Sequence, residues 1–162
     1  GRLLQDAFAA HFESEVPEAM EQVFVHWIIT QTAAEAQDAF DRIEGGEEFA
    51  AVAQEMNLEE FFADENGEVG WAPAGAWEGL DPHLFGEEAV YGEAVGPLAI
   101  PQLGNLVLEV SDGPSEEPVH EDIRVLLGLR GLQDWIDDQT SALVTELGMT
   151  NADARWIIGQ LT

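Results

Sequence analysis

The groups with chemistry to offer are four histidines and a large excess of carboxylates, with no cysteine at all. That excludes a thiol nucleophile, a disulfide and a zinc–thiolate site. His11, His83 and His120 are isolated, without metal-ligand spacing such as H-E-x-x-H. His120-Glu121-Asp122 starts a helix, its acids favourable at the N-terminal end of the dipole. No serine sits in a nucleophile elbow, and no glycine loop could cradle a phosphate. Asp64-Glu65-Asn66-Gly67-Glu68 would need an acid two residues earlier to be an EF-hand loop. Phe62 stands there, so the segment reads as a solvated turn. His26 is different. It lies in Q-V-F-V-H-W-I-I-T (22–30), a β-branched and aromatic run that reads as a buried strand. Alternation turns Val23, Val25, Trp27 and Ile29 one way and Phe24, His26 and Ile28 the other.

The other elements follow from period and punctuation. Residues 3–15 read as a helix with Leu4, Phe8 and Phe12 on one face, ended by Pro17. Thr32 and Glu35 form a capping box for a helix over 33–44, which Gly45-Gly46 stops. A second helix over about 47–56 carries Phe49, Val52, Ala53 and Met56 on one side. Residues 57–68 are a polar, acidic loop. Val69-Gly70-Trp71 is a short strand, 82–91 holds a short helix, and 96–100 and 105–111 are the last extended pieces, with a turn at 102–104. Asp112 to Pro118 reads as a linker. Helices then fill about 119–139, 141–148 and 151–161. Helix, strand, two helices, strand, short helix, two strands, helices: the order describes an α+β sandwich with helical arms.

The 162 residues carry 33 Asp and Glu against five Arg and no Lys, a formal net charge of −28. Such a surface repels nucleic-acid phosphates and anionic lipid headgroups, which excludes a nucleic-acid binder. The charge reads as an adaptation to a saline or cation-rich setting, or as colloidal stabilisation. No apolar run is long enough to span a membrane. The opening Gly-Arg-Leu-Leu, without Met or a signal peptide, reads as a processed product.

Four segments together resemble the parvulin-type peptidyl-prolyl cis/trans isomerases. V-F-V-H-W-I-I-T (23–30) is similar to their opening strand with one histidine. A-A-E-A-Q-D-A-F-D-R-I-E-G-G-E-E-F-A-A-V-A-Q-E-M (33–56) resembles the helix pair "EEA … G-x-x-F-x-x-L-A". N-G-E-V-G-W-A-P-A-G (66–75) resembles "G-G-x-L-G-W-x-x-x-G", and G-E-A-V-G-P-L … L-G-N-L-V-L-E-V (92–110) resembles the closing "G-E-I-S-x-P-V … F-G-Y-H-I-I-x-V". The helical flanks look like the arms of extracytoplasmic foldases of the SurA and PrsA kind.

The resemblance implies a four-stranded antiparallel sheet wrapped by helices over 22–112, with helical arms over 1–21 and 113–162. It implies catalytic residues at His26, matching the first histidine, and at Glu59 (or Glu60), where the family has Asp or Cys. It implies substrate binding by Val69, Trp77 and Phe85 at the proline pocket and by Leu103 and Leu106 of the final hairpin. The second histidine of the family is replaced by Leu106, so His26 is expected to turn to another polar group such as Glu59. No cofactor or metal is implied. The expected activity is isomerisation of X-Pro bonds in unfolded or secreted polypeptides outside the cytoplasm, with the arms offering surfaces to protein partners. The rival readings are a non-catalytic chaperone on the same fold and a structural interaction subunit of an extracytoplasmic assembly.

Overall fold

In the computed structural model the backbone is described for residues 2–161 and the side chains for residues 6–160, so the side chain of Leu4 lies outside the described residues. Two compact units emerge, one from Ala19 to Val119 and one from the two flanks, 1–18 and 120–162.

The first unit is built on four antiparallel strands, β1 (Ala19–Thr30), β2 (Glu68–Pro73), β3 (Ala94–Ile100) and β4 (Gly104–Pro118), in the order β2-β1-β4-β3. The expected strand at 22–30 sits at the centre, as its run of buried apolar side chains requires. Helices α2 (Ala33–Glu44) and α3 (Phe49–Met56) follow it. The Thr32 hydroxyl accepts from Glu35 N while Glu35 Oε2 accepts from Thr32 N, closing the expected capping box. Ile28 and Val107 of the sheet pack with Ala39, Val52 and Ala53 of these helices, sealed by Phe40, Ile43 and Phe49. A 3-10 turn (Glu78–Leu80) leads into a single helical turn, α4 (Asp81–Leu84), shorter than the helix expected over 82–91.

The expected linker 112–118 is strand instead. Beyond Val110 the chain bulges twice and goes on pairing with the start of β1, Met20 opposite Glu117 and Gln22 opposite Ser115. Of the residues that suggested a linker, Gly113 and Pro114 lie in a bulge, while Asp112, Glu116, Glu117 and Pro118 pair with β1. Gly113 has φ +106°, and a Cβ there would lie 2.8 Å from the Gln22 carbonyl oxygen, so only glycine lets the strands approach. The buried Gln22 amide donates to the Glu117 carbonyl (2.7 Å) and secures this extension.

In the second unit α1 (Arg2–Ser14) packs on α5 (Glu121–Leu147), which is followed by α6 (Asn151–Leu161). Phe8 stacks on Trp135 at 5.2 Å. Arg124 donates to the Val16 (2.6 Å) and Pro17 (2.9 Å) carbonyls, closing the end of the α1 segment. The break expected at 140 does not occur. No Gly or Pro interrupts Gln139-Thr140-Ser141, and the buried Thr140 hydroxyl donates to Ile136 O one turn back (2.8 Å), so the helix runs on to a left-handed Gly148.

Candidate functional site

Strand alternation divides the sheet into two chemically different faces. On one, Val23, Val25, Trp27 and Ile29 of β1 lie beside Leu106, Leu108 and Val110 of β4, all buried. Trp27 is its centre. Its ring meets Trp77 at 4.8 Å and Phe62 at 6.5 Å, and Phe62 meets Trp77 at 5.2 Å, all edge-to-face. Edge-to-face contact is the favoured aromatic geometry, because ring edges are positive and ring faces negative.

Glu59 belongs to the same face. The Trp27 indole N–H donates to Glu59 Oε2 (3.3 Å). The carboxylate also accepts from the backbone N–H groups of Phe61 (2.8 Å to Oε1), Phe62 (3.1 Å to Oε1) and Ala63 (3.1 Å to Oε2). Asn57 fixes the loop from below, its Oδ1 accepting from Ile29 N (2.9 Å) and Glu59 N (3.3 Å). The acidic loop of the sequence is therefore an ordered turn closed by a carboxylate, and it lifts Phe61 (74% exposed) and Leu58 (64% exposed) into solvent. Glu60 lies within this turn, but its exposed side chain takes no part in the hydrogen bonds that close it.

His26 lies on the other face. Its Nε2 is 2.9 Å from Ser111 Oγ, and its ring neighbours are Phe24 (5.4 Å) and Phe49 (6.0 Å) of α3. The structure thus joins Glu59, Trp77 and Leu106 through the Trp27 face and leaves His26 out. The polar partner expected for His26 exists, but it is Ser111. Leu106 is fully buried opposite Ile29, on the Trp27 face and away from His26. Of the remaining expected pocket residues, Val69 is half-buried at the bulge where Val25 pairs Gly70 and His26 pairs Glu68. Phe85 is half-buried and caps α4, its N–H donating to Asp81 O. Leu103 is half-buried in the β3–β4 turn. Trp27, Phe62 and Asn57 were not singled out by sequence. Alternation alone placed Trp27 opposite His26, and that was the available signal.

No known protein-family model matches the chain, and no curated protein matches it in sequence. Solved structures do. The peptidylprolyl isomerase PrsA of Bacillus anthracis matches with a TM-score of 0.58 at 12% identity, over 90% of this chain and 71% of that one. PrsA of Bacillus cereus matches with a TM-score of 0.52 at 19% identity, over 80% of this chain and 53% of its own length. The chain thus spans about half of that protein. A structure from the SurA-like chaperones PEB4 and Cj1289 of Campylobacter jejuni matches with a TM-score of 0.51 at 17% identity, over 90% of this chain and 61% of that one. The fold is the parvulin fold. Within the parvulin unit the aromatic face of Trp27, Phe62 and Trp77 is the candidate site, with Glu59 as its ordered carboxylate. None of the described helices is long and apolar enough to cross a membrane.

Proposed function

We propose that this chain is a foldase that binds extended, proline-containing segments of unfolded or secreted polypeptide and isomerises their X-Pro bonds outside the cytoplasm. The observation that supports this most is the aromatic cluster on a parvulin sheet: Trp27 and Trp77, both buried, meet the half-buried Phe62 beside a loop that exposes Phe61 and Leu58. Rotation about X-Pro meets a barrier of about 20 kcal/mol and breaks no bond, so neither nucleophile nor metal is needed. The site has only to favour the twisted amide over both planar forms. Apolar contacts that grip the proline ring and strip water from the carbonyl contribute to that preference, since the twisted amide is the less polar form.

Preorganised polar groups would add more, and removing one such donor elsewhere costs about 10²–10³ in rate. With Trp27 and Leu106 on the sheet and Glu59 engaged by its own loop, little such help remains. The expected isomerase is a slow one.

A second reading is favoured by that same arrangement: a holdase that binds the segment without accelerating its rotation. Two-dimensional exchange NMR on a short uncharged Xaa-Pro peptide separates the two. Cis/trans exchange faster than the uncatalysed tens of seconds supports the isomerase. Unchanged exchange together with suppressed aggregation of an unfolded client supports the holdase, and neither effect would reject both.

A further inference from the structure

Opposite the aromatic site, the sheet carries a second arrangement that the prolyl reading does not use. Cross-strand partners share a sheet face, and two neighbouring rungs here cross three strands. One rung is Trp71–Phe24–Asp112 and the next is Glu68–His26–Glu109. Phe24 and Trp71 meet edge-to-face at 5.3 Å, and both are half-buried, as is Glu109, while Glu68 and Asp112 are exposed. The two half-buried rings thus lie among carboxylates contributed by both flanking strands.

A planar guanidinium fits both halves of this arrangement. It stacks on an aromatic face while its planar N–H fork reaches carboxylates to either side, a geometry that suits it better than a compact, strongly hydrated ammonium. The parvulin unit has no cation of its own to fill the place. Its one Arg or Lys, Arg42, is on α2, held by Glu47 (2.8 Å) and Glu55 (2.9 Å). We infer that this face, formed by Phe24, Trp71, Glu68 and Glu109, docks an arginine side chain of a partner polypeptide, at a site separate from the prolyl face.

The test uses the full chain and two unstructured Gly/Ser peptides, one carrying arginines and one lysines at the same positions. Tryptophan indole N–H resonances are followed at about 0.15 M salt, where diffuse attraction between exposed charges is screened; Trp71→Phe assigns its own signal. The arginine peptide is expected to shift the Trp71 signal and to bind several-fold tighter than the lysine peptide. In the Glu68→Gln/Glu109→Gln variant its affinity is expected to fall roughly tenfold, with the melting temperature not lowered and the binding of an uncharged proline peptide unchanged. Equal binding of the lysine peptide, undiminished binding by the double variant, or shifts confined to other indoles would overturn the inference. Because the proline peptide is read separately, failure of this site is distinct from failure of the prolyl site.

Discussion

Glu59 does at the residue scale what a helix-capping side chain does elsewhere: it turns backbone N–H groups that would otherwise point at nothing into charge-assisted hydrogen bonds. Its acceptors serve Phe61, Phe62 and Ala63 and hold the Trp27 indole. Glu59→Ala is therefore expected to cost about 2–3 kcal/mol and to quench the aromatic contacts, with Glu59→Gln milder. Urea denaturation followed by tryptophan fluorescence checks this, and an unchanged midpoint would make the carboxylate dispensable. The site was partly legible at this scale. Glu59, Trp77 and Leu106 were read from sequence and lie on one face, whereas His26 was matched by residue type. A period of two decides which side chains meet, and it sets residue 26 against Ser111 and Phe49. Matching a histidine by motif does not fix the face it lies on, since a single step along a strand transfers a side chain to the other face.

At the scale of elements, the capping box and the two ends of α2 predict separate effects. Thr32→Ala should cost about 1 kcal/mol, the usual worth of an N-cap hydroxyl, read as a lower denaturant midpoint with an unchanged slope. At the other end the Arg42 guanidinium donates to Glu47 and reaches Glu55. That hydrogen bonding holds the Glu47 carboxyl below its ordinary value and the Arg42 guanidinium above its own. A depressed carboxyl stabilises the fold above its unfolded pKa and loses that contribution as pH falls through the folded value. Glu47→Gln should therefore flatten part of the stability loss below the ordinary glutamate range. A parallel acid limb in both proteins would contradict this. In the helical unit, Gly128 is buried against α1, and a Cβ there would lie 2.8 Å from Glu13 Cα. Gly128→Ala gains about 1 kcal/mol of helix propensity, but the clash costs typically 1–3 kcal/mol. The net expectation is destabilisation, read by a Trp135 fluorescence melt.

Elements of strong period and clear punctuation, β1, α2 and β2, were legible in the sequence. The extension of β4 through Pro118 was not, because its acids and glycine are bulge and edge residues that look like linker. The continuity of α5 was missed for a related reason: Thr140 reads as a break until its hydroxyl is seen bonded within the helix.

Over the whole molecule, the charge of −28 acts through self-repulsion. Salt screens that repulsion, so the melting temperature is expected to rise between low and high sodium chloride. A flat response would remove the electrostatic account of the composition. The same charge leaves the parvulin unit with Arg42 as its one Arg, committed on α2. The two faces of the sheet therefore differ: one buries Trp27 and Trp77 beside a half-buried Phe62, and the other leaves Phe24 and Trp71 half-buried among carboxylates.

The central claim is that a peptidyl proline binds the Trp27–Trp77 side of the sheet. An uncharged Xaa-Pro peptide titrated into the protein, with all tryptophan indole N–H signals assigned, tests it most directly. Saturable shifts of the Trp27 and Trp77 signals, weakened by Phe62→Ala, are expected, while Trp71 stays still. Shifts centred on Trp71, beside His26, would contradict it.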